Sequence, residues 1–263
     1  MKNKSSINKA KWLIFFKMIP LTVGFCLLKF LIHYMKWEIG SFDSLTGSML
    51  AAVTFTLAFL LTGTLNDYRM SKDMPDQLAN SVSGIQDLNL LTAYRRAEYN
   101  PVPLADSLAE ILNSILLWLE EGKPFERVES SIAQTNEALA LVLEHTEATL
   151  VGRLQAEQTN LRNVLSRIRV IRDTDFLTPA YTLLYILLTA ATLSLLTVST
   201  KDFIANLLIS GFLFSAFTYL VMLIHDLDNP FEYDGKSCAD VDLSPIKWAY
   251  NRLLSTRELF AKK

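Results

Sequence analysis

Three stretches of the chain carry no charged residue at all: 44–66, 176–200 and 203–224. Each matches the ~20 apolar residues that a helix needs to cross a bilayer, so each is read as a spanning helix. A fourth stretch, Trp12–Tyr34, is apolar apart from Lys17, Lys29 and His33, and Trp12 and Trp37 bracket it as interfacial aromatics do. Its lysines are expected to snorkel to the interface from near the helix ends. A cleaved signal peptide is not expected, because the apolar region exceeds the usual ~7–15 residues and no A-x-A-like site follows it.

Between the second and third spans the pattern changes to apolar residues at helical spacing among many charges. "PDQLANSVSGIQDLNLLTAYRR" is expected to open a helix with Pro75 at its first position, and "PLADSLAEILNSILLWLEEG" runs to Gly122, a C-terminal stop. From Lys123 to Asp175 an intermittent stripe (Val128, Ile132, Leu141, Leu150, Leu154, Leu161, Val164, Leu165, Ile168, Ile171) predicts either two helices hinged near Gly152 or one long helix. No internal repeat, low-complexity tract or strand-type alternation stands out. The fold class is therefore all-α: four transmembrane helices with a large helical cytoplasmic domain between the second and third. The expected organisation is 1–66 for the tail and first two spans, 67–175 for the cytoplasmic domain, 176–224 for the last two spans and 225–263 for the C-terminal tail.

Charge then orients the chain. Lys2, Lys4, Lys9 and Lys11 precede the first span, Arg69 and Lys72 follow the second, and Arg162, Arg167, Arg169 and Arg172 precede the third, whereas the two short loops on the other side hold only Lys36 and Lys201. The positive-inside rule puts both termini and the middle domain in the cytoplasm of a multi-pass protein, expected in a bacterial inner membrane. The overall balance, 51% hydrophobic with a net charge of −2, suits a membrane-lipid partner, and no nucleic-acid partner is expected. Cys26 lies in a span and Cys238 in the C-terminal tail, so both should be reduced thiols.

Catalytic chemistry has no foothold. The nine glycines are dispersed, which excludes a Walker A loop and a dinucleotide fingerprint, and no H-E-x-x-H or paired Cys-x-x-Cys occurs. His33, His145 and His225 read as structural histidines, and Thr54, Thr62, Thr189 and Ser194 as residues bonding their own helix carbonyls. The chain is not expected to be an enzyme.

In the second span Gly47, Ala51, Phe55, Phe59 and Thr62 share one helix face. A stripe of small residues, aromatics and a hydroxyl reads either as helix packing or as the hydrophobic constriction of a symmetric pore. Past the fourth span, "HDLDNPFEYDG" sets Asp226, Asp228, Glu232 and Asp234 at a helix C-terminus, where carboxylates are disfavoured and cations preferred. Pro230 disfavours helical geometry at Asn229, so the chain should leave the helix there, with Phe231 anchoring the turn. The expected structure is an acidic clasp of Asp226, Asp228, Asn229, Pro230, Phe231 and Asp234. Its basic partners would be Arg162, Arg167, Arg169 and Arg172 or the N-terminal lysines, from the same or a neighbouring subunit.

The second span ending in "FLLTGTLNDYRMSKDMPDQL", the third entered through "RIRVIRDTDFLTPAY" and the fourth leaving through "DLDNPF" together resemble the bestrophin and bestrophin-like membrane channels. The resemblance is concentrated in those three stretches; elsewhere only the architecture matches. It implies a homo-oligomeric ring, usually a pentamer, with the second helix lining a narrow hydrophobic neck. Phe55 falls on a neck position, and Ala51 and Gly47 would occupy the two others, where the family usually carries larger apolar residues; Phe59 or a shifted register would then supply the constriction. The permeant species implied is chloride or another small ion. In animal bestrophins the acidic run after N-P-F holds calcium. Asp226, Asn229 and Asp234 fall where some of those ligands lie, but calcium takes ~6–8 oxygens and Lys236 and Ser237 interrupt the cluster, so the structural clasp is favoured and no cofactor is expected. The leading function is an oligomeric ion channel. The alternative is a non-conducting scaffold or sensor that binds a partner through its cytoplasmic helices. A secondary transporter is disfavoured by the lack of an inverted repeat.

Overall fold

The computed structural model describes residues 12–41, 43–145, 148–173, 178–233, 235, 237 and 239–260. Its helices are α1 (Leu13–Tyr34), α2 (Ser44–Arg95), α3 (Val102–Glu121), α4 (Glu126–His145), α5 (Ala148–Asp173), α6 (Thr178–Thr197), α7 (Phe203–Asp228) and α8 (Ser244–Phe260). Two short strands, β1 (Gly40–Ser41) and β2 (Val198–Ser199), pair in parallel with Gly40 opposite Val198. The chain divides into two compact units, with the division falling inside α2 between Arg69 and Met70. The all-α class holds.

The first unit comprises α1, the first part of α2, α6 and α7. Its core is a seam of Phe25, Leu50, Val53, Leu57, Leu184, Leu195, Phe217 and Ile224. Phe25 stacks on Phe214 with ring centroids 4.4 Å apart, and Thr22 and Ser215 share a hydroxyl bond of 2.9 Å. Gly211 lets α1 and α7 approach closely: a Cβ there would stand 3.1 Å from the Cys26 sulfur, which is the use membrane helices make of small residues. The remaining surface is apolar rather than polar. Phe16, Leu27, Phe30, Ile186, Leu193, Ile204, Leu208 and Phe212 are all well exposed.

In the second unit α3 is the central helix, packed against α4 and α8. It is long and apolar enough to cross a membrane, as are α1, α2, α6 and α7. Its apolar face, however, is covered by this unit: Leu104, Leu108, Ile111, Leu112, Ile115 and Leu119 are at most 1% exposed. Gly122 ends the helix as its sequence predicts, with φ +66° and the amides of Gly122 and Lys123 both donating to the Leu117 carbonyl.

Two helix boundaries differ from the sequence expectation. Pro75 does not start a helix; α2 runs through it from Ser44 to Arg95. An interior proline loses one hydrogen bond and costs ~3 kcal/mol, yet Met74 and Leu78 on either side are almost fully buried, and burying each contributes about 1.5–3 kcal/mol. Nor is Gly152 a hinge. It lies inside α5, which spans Ala148–Asp173 without interruption; Leu154 and Leu161 beyond it are buried, so the apolar face continues past the glycine.

Candidate functional site

The stripe on α2 is the first candidate. Leu50, Val53, Leu57 and Thr64 turn into the first unit and are at most 7% exposed. The opposite face carries Ala51, Phe55, Phe59 and Thr62, and nothing among the described residues covers it: Phe55 is 73% and Phe59 71% exposed. Gly47, half-buried, begins the same face, and a Cβ there would meet nothing within 4 Å. The Thr62 hydroxyl donates to the Ala58 carbonyl at 2.8 Å, and Thr54 and Thr189 likewise donate to carbonyls four residues back. A hydroxyl engaged in this way leaves the stripe apolar in character.

The helix exit is the second. α7 ends at Asp228, and Asn229 leaves helical geometry at φ −120°, ψ 82°. Asp226, Asp228 and Asn229 are half-buried, Pro230 is buried, and Phe231 is fully buried. Tyr233 adopts a left-handed φ of +51° and donates its hydroxyl to the Val241 carbonyl at 2.8 Å. Burial raises the phenol's pKa, reinforced by Asp240, Glu120 and Asp242 and opposed by Arg172, so it stays a donor. Asp234, the N-terminal lysines, Lys236 and Cys238 lie outside the described residues.

The arginine band ahead of α6 sits on α5. Arg169 pairs with Glu129 at 3.3 Å and Asp173 at 3.5 Å, and its guanidinium lies 4.4 Å from the centre of the Phe125 ring. Arg172 donates to the Trp118 carbonyl at 2.6 Å and stacks over the Trp118 ring; desolvation lowers its pKa. Arg162 and Arg167 are exposed. Among the described residues no group of three His, Cys, Asp or Glu side chains converges as a metal site. Asp226 and Asn229, the two described calcium candidates, fall well short of a calcium shell.

A third locus escaped the sequence reading. Lys29 does not snorkel: it is 0% exposed, and its ammonium donates to the carbonyls of Leu195 at 2.6 Å and Val198 at 3.0 Å. These belong to the end of α6 and the strand after it, where unsatisfied carbonyls carry partial negative charge and a cation is favoured. Asn206 also donates to the Val198 carbonyl at 3.0 Å and accepts from Ser210. The Glu38 carboxylate acts electrostatically on Lys29 and bonds His33 Nδ1 at 3.0 Å through one oxygen, while its other oxygen is buried with no partner among the described residues. The His33 ring stacks on Phe203 at 3.9 Å. The available signal was the spacing of Lys29, His33 and Glu38 in an otherwise apolar setting.

No protein-family profile and no curated protein matches the chain. Solved structures do. Two crystal structures of variants of a bacterial bestrophin homologue from Klebsiella pneumoniae superpose with TM-scores of 0.71 at 15% and 14% identity. They cover 92% and 95% of this chain and 99% and 98% of theirs. A third structure of the homologue, phased on zinc, gives a TM-score of 0.69 at 16% identity over 93% of this chain and 98% of that one. The fold is bestrophin-like. A structure described simply as that of a membrane protein matches with a TM-score of 0.68 at 14% identity over 93% of this chain and 98% of its own. A bestrophin-like fold whose first unit exposes so many large apolar side chains makes the chain a membrane protein.

Proposed function

We propose that the chain forms a homo-oligomeric ion channel whose pore is lined by the exposed face of α2. The observation that carries this reading is the aromatic stripe itself, with Phe55 and Phe59 uncovered while the opposite face of the same helix is buried. Repeated around a symmetry axis, most simply in a pentamer, Phe55 forms a ring of apolar side chains that gates by dewetting. Ala51 and Gly47 leave the neighbouring rungs wide, so Phe55 and Phe59 set the constriction and Thr62 follows it. The resemblance in the second span and the bestrophin-like fold support the assignment. On this reading both termini, 67–175 and 225–263 are cytoplasmic, the host membrane is a bacterial inner membrane, lipid surrounds the first unit, and the permeant species is chloride or another small ion. The acidic helix exit is a structural clasp, and the protein has no catalytic role.

Ion flux into liposomes carrying the purified protein tests the proposal. Wild-type protein should pass chloride, sodium or potassium, and Phe55→Ala should raise the flux several-fold by widening the ring. Absence of flux for every ion would overturn the channel reading, and an unchanged Phe55→Ala flux would remove Phe55 from the constriction.

The exposed Leu91, Tyr94 and Trp248 of the second unit favour a second reading, a non-conducting scaffold that docks a partner. Oligomeric state separates the two: a closed ring with α2 at its axis supports the channel, and a monomer with α2 facing lipid supports the scaffold.

A further inference from the structure

Between α4 and α5 lies a cavity of about 360 Å³, within the ~300–1,000 Å³ of small-molecule sites. Two side-chain bridges link the helices near it. On one side Gln158 donates to Asn136 at 2.9 Å, and on the other Arg169 pairs with Glu129 at 3.3 Å. Phe125 and Ile132 give it apolar walls, and Arg162, Ser166 and Arg169 face it from a single side of α5, one helical turn apart.

These polar groups are not equivalent. The Arg169 charge is balanced by Glu129 and Asp173, and the Phe125 ring beneath its guanidinium fixes its plane. Arg162 has no ion-pair or hydrogen-bond partner among the described residues, and neither has the Ser166 hydroxyl one turn on. One uncompensated guanidinium, with five donors in a fork suited to a carboxylate or phosphate, and one free hydroxyl therefore stand exposed at the edge of a recess whose floor is apolar.

The geometry points to a binding site for a small amphipathic anion, with its carboxylate or phosphate on Arg162 and Ser166 and a ring-sized apolar body against Phe125 and Ile132. The headgroup chemistry is shared by soluble organic phosphates and by anionic lipid. The site does not depend on whether the chain conducts.

Isothermal titration of the full-length protein in detergent with phenyl phosphate and with inorganic phosphate tests the first source. Melting in nanodiscs of phosphatidylcholine with and without phosphatidylglycerol tests the second. Phenyl phosphate should bind several-fold tighter than inorganic phosphate. Binding should weaken about tenfold or more in Arg162→Gln and several-fold in Ser166→Ala, as expected for losing charged and neutral hydrogen bonds. It should be unchanged in Arg127→Gln, whose exposed guanidinium pairs with Glu110 elsewhere. A rise in melting temperature with phosphatidylglycerol that Arg162→Gln abolishes assigns the same site to lipid. Response to neither probe, as when a second copy fills the cavity, overturns the inference, as does equal weakening in Arg162→Gln and Arg127→Gln.

Discussion

A lysine ammonium taken out of water costs several kcal/mol unless good acceptors surround it, and Lys29 meets this requirement with two carbonyls and a nearby carboxylate. Lys29→Met leaves the Leu195 carbonyl without that bond and removes the positive charge that interacts with Glu38. We expect a loss on the order of 3 kcal/mol, seen as a lower melting temperature in detergent, with Lys29→Met/Glu38→Gln recovering part of it. An unchanged melting temperature would show that water replaces the ammonium without loss. Sequence reasoning could see that Lys29 was out of place in its apolar run, but not where it would turn. Snorkelling is the default when the alternative is hydrocarbon, and the acceptors that make burial possible come from a distant part of the chain. Phe231 was legible for the opposite reason: after Asn-Pro, the chain must bend at once, and a phenylalanine at the bend has little to gain from water.

At the scale of the element, Pro75 inside α2 is a local preference overruled by packing. Pro75→Ala restores an amide donor and better helix propensity, worth up to ~3 kcal/mol, while loosening the unfolded chain by roughly 0.4–1 kcal/mol. Pro75 is itself buried, so losing its ring contacts costs a further ~1–2 kcal/mol. The net expectation is a change of about 0–1 kcal/mol, read as an unchanged or slightly higher melting temperature; a marked fall would mean that ring packing outweighs the restored helix bond. The contrast with Gly122 explains which boundaries sequence can give. Gly122 stands where the chain turns left-handed, a conformation that strongly prefers glycine, whereas Pro75 and Gly152 carry ordinary helix with a penalty that neighbouring buried residues offset. The α2–α3 turn shows the same dependence on context. Tyr99 donates to Asn89 at 2.5 Å, Asn89 donates to Gln86 and to the Pro101 carbonyl, and burial pushes the Tyr99 phenol up to about 12. No spacing rule would have predicted that network.

Over the whole molecule the two units keep their apolar residues in opposite places. The second covers them, as α3 illustrates, and the first displays many of them, because its solvent on the reading above is lipid. A bilayer favours long apolar runs, which is why the apolar helices α1, α2, α6 and α7 could be read from charge-free runs and Trp-bracketed ends. What fills the space in front of Phe55 could not be read, because a single chain contains one copy of a surface whose complement is expected in other copies. The Lys29 contact adds a dimension of time. Its two carbonyls enter the growing chain 166 and 169 residues after the lysine itself. At roughly 5–20 residues per second this is an interval of about 8–34 s, during which α1 must wait without the carbonyls its lysine will bond. Chains truncated before Leu195 should therefore leave α1 easier to extract from the membrane and open to protease. The complete chain should fasten it, so the final seating of α1 is decided by a helix made long after it.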